Sequence, residues 1–596
     1  MQHAYKYIVV IVLTFTFLCC YQFTKVPRQK RKIKNYSEGN ELVLQKQAAK
    51  FLLSNITLHS SYDCNQNDSI LSSIDTLYRN KPFWIKSAIT VFHSKGFSTI
   101  YDINNTYDST KLMQHINRML SLRKMYHWYQ YYSFEDFCEY ILPYNHFEEF
   151  QDSIPVNNSL RSTLNKNIHD RLAVHNIYYD GDLNYIETKL KDVINQLSQS
   201  NIWEELTNLN INFSCREEAI AECHLYNSVG IPRVIDFVPH WANINGRHTW
   251  ATSPYNLKIP YQNYAKIYRK TYSRNPIPTT SKRKEIIPNL FQDPFNKDVT
   301  SQYGNTDEIS VELSKKRYEF ENIYLYIFSE GNLWPIAWTK ISGKYATFKN
   351  LGKGIVYFPG YNSINGMIIE GHPILLNRDG TSRELIPDHC NTQEMKLFRK
   401  YPLTQEKIDR IENLIGATIL GYQDNNLRPD TLATIPSNYM TESMIALNAE
   451  NSYKYIQIIP NRVMQIAEIC ILSENKDSID FKTTSKEYNQ LAICDNNYLT
   501  YSDFIPNLKL EIKDSEHLAF MRIMPRNDDN WINPGDVYEL FYFCSQGWVS
   551  CGTKIATANF VTYSEVPSRA LYLLKNHSKG TEERPFTWED GKMTFW

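Results

Sequence analysis

The chain has 596 residues, with 64 lysines and arginines against 64 aspartates and glutamates, so its formal net charge is zero. That length predicts about three to five domains, and the lack of a summed positive field argues against nucleic acid as a partner. The 42 tyrosines and 11 tryptophans fit β-sheet cores and edges and would also suit carbohydrate or peptide grooves. Eleven cysteines, dispersed and without a CxxC pair, give neither a zinc-ribbon nor a disulfide framework. No metal and no cofactor is expected.

The N-terminus holds an apolar run, IVVIVLTFTFL, directly before Cys19-Cys20. It is too short for a membrane span of about 20 residues and right for a signal-peptide core. Residues 1–20 therefore read as a signal peptide of lipoprotein type, an ordinary secretory signal or an uncleaved anchor, and 21–40 as a basic tether. Cell-envelope localisation through an N-terminal lipid follows from the first reading, and secretion from the second.

Residues 41–206 are expected to form a largely helical N-terminal region. LVLQKQAAKFLLSNITL over 42–58 has apolar positions at helical spacing, SFEDFCEYIL over 133–142 starts like a capped helix and stops before Pro143, and 185–206 repeats the pattern. Cys138 falls on the apolar face of its helix and reads as core.

The segment 207–274 carries the chemistry. Cys215 opens a helix running to about Tyr226, with Asn212 and Ser214 as capping candidates and Ala219, Ile220 and Cys223 on one face. A cysteine at a helix N-terminus meets unpaired N–H groups and the positive end of the macrodipole, which favour the thiolate. Gly230-Ile231-Pro232 ends the helix, 233–238 is extended, Asn245-Gly246 signals a turn, and His248 and Trp250 lie on the returning strand. That layout would bring an imidazole beside a thiolate.

The run Cys215, Glu217 or Glu218, Ala219, Gly230-Ile231-Pro232, Asp236 and His248-Thr249-Trp250 resembles the core of the transglutaminase-like, papain-type superfamily. The resemblance implies that Cys215 is the nucleophile and His248 its base, with a third residue orienting the ring. No aspartate follows His248 before Asp293; Asn256 is the first candidate for the third position and Asn263 the second. The sulfur is expected within about 4 Å of a His248 ring nitrogen, with α-helix 215–228 packing its apolar face on the strands at 233–238 and 247–252.

Proline and charge make 275–298 a linker, and alternating short strands with turns at Glu330-Gly331-Asn332 and Arg378-Asp379-Gly380 make 299–395 a β-sandwich. Two further stretches, 396–485 and 486–596, resemble discoidin-like, galactose-binding β-sandwiches. The second rests on Leu510-Glu511-Ile512, the strand from Phe520 to Arg526, the strand from Tyr538 to Tyr542, and Gly547-Trp548. The acid-rich loop from Asn527 to Asp536 reads as a solvated loop or, less simply, a calcium site.

The expected fold class is multidomain α+β: a helical N-terminal region, a transglutaminase-like α+β core, then β-sandwich domains. The expected function is an exported cysteine hydrolase, a peptidase or amidase working through a Cys215 thioester on a protein, peptide or glycan substrate. The rival is an inactive scaffold of the same kind that binds glycan or protein at the surface.

Overall fold

The computed structural model describes residues 41–62, 99–101, 109–125, 129, 132–144 and, with short interruptions, 214–596. The signal, the tether and the helix expected over 185–206 lie outside these residues. Strands account for 41% and helices for 17%, so this is a mostly-β protein of antiparallel sheets. Among the described residues no helix is long and apolar enough to cross a membrane.

Helix α1 (Glu41–Asn55) continues into a 3-10 turn, Ile56–Leu58, and buries Ala48 and Leu52. Helix α2 is Ser109–Met125, and helix α3 is Phe134–Tyr140. α3 starts where its sequence says it should: Ser133 Oγ accepts from Asp136 N at 3.0 Å while Asp136 answers the Ser133 N–H, a reciprocal capping box. Cys138 is buried at its centre, where burial pushes the thiol up to about 12 and leaves it inert.

Helix α4 (Cys215–Ser228) lies on a four-stranded sheet made of β1 (Val234–Val238), β2 (His248–Thr252), β3 (Tyr268–Lys270) and β4 (Asn296–Asp298), in the order β2-β1-β3-β4. Ala219, Ile220 and Cys223 pack on Ile235 and Ala251, the helix face and the strands read from the sequence. The supposed linker 275–298 is instead part of this fold. β4 pairs with β3, Phe291 is buried, and Glu285 accepts from Asn322 Nδ2 at 2.8 Å. Proline and charge do not make it a linker, because several of its charges are matched within the fold: Lys270 pairs with Asp293, Lys266 with Asp298, and Thr280 Oγ1 donates to Glu285.

The next unit packs two antiparallel sheets face to face. A sheet in the order Ser382–Glu384, Ile374–Leu376, Ile355–Ser363, Asn322–Ser329, Asn332–Lys340 faces the pair Asp307–Glu312/Tyr345–Leu351 across a core that includes Ile323, Leu325, Phe348 and Tyr357. Glu330 and Gly331 close their hairpin with φ of 52° and 75°, the mirror-image turn that matches strand twist. All eight residues of Asn322–Ser329 are buried, because Tyr324, Tyr326 and Phe328 pack behind it against Phe543, Leu571 and Leu573.

Beyond residue 397 the pairing corrects the sequence-based boundaries. Leu508–Ile512 pairs with Tyr455–Ile459, and Phe520–Pro525 with Ser443–Ala446 and Ile466–Leu472. A boundary at 485 would therefore cut one sandwich, whose core runs from Ile411 to Trp531. Asp388–Leu397 pairs with Val561–Ser568, across that insertion, beside a second sheet in the order Gly547–Ile555, Val537–Cys544, Tyr572–Asn576, Phe586–Glu589, Lys592–Phe595. The four segments that carried the second discoidin-like resemblance thus divide between two sandwiches. Alternation identifies a strand, but long-range pairing chooses its sheet.

Candidate functional site

The start of α4 is built as a capped terminus. Ser214 O accepts from Glu218 N at 3.2 Å, and the Glu217 carboxylate reaches back to Ser214 N at 2.7 Å and to the Ser214 hydroxyl. Glu217 is therefore the capping partner of Ser214, a pairing legible as Ser-x-x-Glu. Cys215 occupies the first helical position and is half-buried.

The end of α4 explains Gly230-Ile231-Pro232. Ile231 N donates to Tyr226 O and Gly230 N to Asn227 O, both at 3.1 Å, with Gly230 at φ +75°, which together make a Schellman terminator. A Cβ on Gly230 would overlap the Tyr129 hydroxyl. Gly230→Ala is expected to cost about 2–3 kcal/mol, the left-handed penalty plus the displaced ring, read as a lowered unfolding midpoint.

Side-chain alternation divides the remaining residues between the two faces of the sheet. Ile235 lies opposite Ala251 on the face covered by α4; Asp236 lies opposite Trp250, and Val238 opposite His248, on the other. The His248 ring accordingly stacks on Trp250 at 5.5 Å and on Trp241 at 5.9 Å. Burial first, and Lys258 second, hold its pKa below the usual value, so the ring is neutral at pH 7. Asn256 is exposed in the loop after β2, where its backbone N donates to Ser253 Oγ at 3.4 Å, and its side chain does not bond the ring. Asn263 N donates to Asn243 Oδ1 at 2.9 Å and braces the loop between β1 and β2.

Asp236 is bound elsewhere. Both its oxygens accept from Arg269 at 2.8 Å, and Oδ2 also accepts from Tyr303 Oη at 2.7 Å. Trp250 Nε1 donates to Tyr303 Oη at 3.1 Å. This network, with Asp236 wholly buried and Arg269 nearly so, is a structural lock across β1, β2 and β3.

A cleft of about 360 Å³ opens at the other end of this sheet, lined among others by His59, Glu139, Arg233, Lys270, Asp293 and Phe295. It forms where the pairing of β1 with β3 stops at Asp236 opposite Arg269. Beyond that point Glu139 takes the Tyr272 N–H at 2.7 Å, His59 Nε2 donates to Tyr272 O at 2.9 Å, and Asn227 Oδ1 takes the Arg233 N–H at 3.1 Å. Three side chains thus satisfy main-chain groups of the two parted strands. Sequence reasoning missed this cleft because its residues come from five separated stretches with no shared motif.

The acid-rich loop before Asp536 is held by cations of the chain itself: Asp528 pairs with Arg399 and Lys407 at 2.5 Å, and Asp529 with Lys579 at 3.0 Å. No metal-holding group of acids, histidines and cysteines occurs among the described residues. Comparison with protein-family models, with curated proteins and with solved structures finds no match to this chain.

Proposed function

We propose that this chain is a non-catalytic binding protein of the cell envelope: a transglutaminase-like scaffold, exported by its N-terminal signal and held by a lipid, whose β-sandwich units engage a glycan or protein surface. The observation that carries the reading is the division of the sheet, with α4 on the face of Ile235 and Ala251 and the His248 ring on the face of Asp236 and Trp250. Acyl transfer by a cysteine needs a base in reach of the thiol. The residues that would complete such a site have other work: Asp236 holds Arg269, and Gly230-Ile231-Pro232 terminates a helix.

The cysteine-hydrolase reading is favoured by one feature, the place of Cys215 at a capped helix N-terminus. Iodoacetamide labelling across pH 5–9 in the wild type and in His248→Ala separates the two. The binding-protein reading expects superimposable profiles for Cys215. A Cys215 rate that falls about tenfold or more in His248→Ala at pH 6.5 would instead establish a working thiolate–imidazolium pair and overturn it.

A further inference from the structure

Residues 41–62 meet the four-stranded sheet along the segment 270–275. Arg274 N donates to Asn55 Oδ1 at 3.2 Å, and Arg274 Nη2 to Ser54 O at 2.9 Å. The Phe51 ring lies 5.7 Å from that of Tyr272. At the centre of this contact the His59 ring is inserted between two others, 4.2 Å from Tyr272 and 3.8 Å from Phe295, with interplanar angles of 16° and 18°. Its Nε2 sits 2.9 Å from Tyr272 O. A carbonyl oxygen can only accept, so Nε2 carries the proton of a neutral ring and Nδ1 is the atom left to take a second one.

A proton on Nδ1 would place a full charge in this stack. Burial is the largest opposing effect; Lys270 and Arg274 add to it, while Asp293, with the bond to Tyr272 O, works against it. Glu139, the acid of α3 in the same cleft, accepts from Tyr272 N and Ser273 N. The two flanking rings attract a cation, but their attraction is smaller than the loss of hydration. We propose that His59 is an acid-sensitive clip, which docks residues 41–62 on the sheet while its ring is neutral and releases them when the ring is protonated.

The docked ring has a pKa of about 4 against 6.5 when free. The undocked state therefore binds the proton first, so docking is complete above pH 6.5 and is lost as pH falls toward 4. At pH 4.5 such a shift weakens docking about 80-fold.

Hydrogen exchange, corrected for intrinsic rates, reads this on the full chain at pH 7.5 and 4.5. Protection over 51–60 should drop by tens of fold at pH 4.5, while the core strand Leu508–Ile512 keeps its own. In His59→Phe, which keeps a ring in the stack but cannot titrate, the drop should shrink to a few-fold. An equal drop in His59→Phe, or simultaneous loss over Leu508–Ile512, would overturn the clip. A histidine NMR titration of the wild type gives a check free of any variant: a His59 pKa of 6 or above would also overturn it.

Discussion

Replacing Asp236 by alanine is expected to destabilise the four-stranded unit by about 3–5 kcal/mol, the cost of leaving a buried guanidinium without its partner. Asp236 is wholly buried and its bond to Arg269 is bidentate. Removing the carboxylate strands the Arg269 charge and deprives Tyr303 Oη of its acceptor. At about 2–4 °C per kcal/mol for a unit of 150–250 residues, the melting transition should fall by roughly 10 °C. The double variant Asp236→Leu/Arg269→Met removes both charges and should recover much of the loss, because a buried ion pair repays little beyond its own desolvation. If Asp236→Ala melts like the wild type, the network is not a lock and Asp236 is free for another role.

Arg584→Ala is expected to cost about 4 kcal/mol and to loosen three units together. The Arg584 side chain is 1% exposed. Its guanidinium donates to Phe328 O at 2.6 Å, Trp596 O at 2.5 Å, Ile244 O at 3.3 Å and Ala242 O. These oxygens belong to the first sandwich, to residue 596 and to the loop between β1 and β2. Burial lowers its pKa to about 10, so it remains charged at neutral pH. Without the fork, the carbonyls of the buried residues Ala242 and Phe328 lose their donor at about 1–3 kcal/mol each, and a cavity remains. Arg584→Lys should rescue little, since one ammonium cannot span four carbonyls on different elements. Denaturation followed by tryptophan fluorescence checks this; an alanine variant within about 0.5 kcal/mol of wild type would contradict it.

Short-range physics was legible along much of the chain. The helix over 42–58, the capped start at Ser133, the helix from Cys215 with its Ala219/Ile220/Cys223 face, and the strands around 323–328 and 334–338 all follow from periodicity, caps and turn residues. These signals act between residues a few positions apart, so one stretch of sequence contains both the cause and the effect. Gly230 shows the ambiguity that remains. Gly230-Ile231-Pro232 carries part of the family resemblance, and locally it is also a helix terminator.

What only the tertiary structure decided is pairing across distance. Whether Leu508–Ile512 joins Tyr455–Ile459 or the strands that follow it, whether Asp388–Leu397 reaches over an insertion to Val561–Ser568, and whether 296–298 completes a sheet or links two units are choices among strands of similar pattern. Each is settled by which apolar faces can close together, a property of the whole core. The same holds for the candidate site. The sequence determined that Cys215 begins a helix and that His248 begins a strand. Which face of the sheet His248 and the apolar side of α4 would meet depended on the register of Val238 with His248 and on where α4 came to rest. A one-residue change of register turns every side chain of a strand to the other face, so a motif can place the right residues in the right order without fixing which side they share.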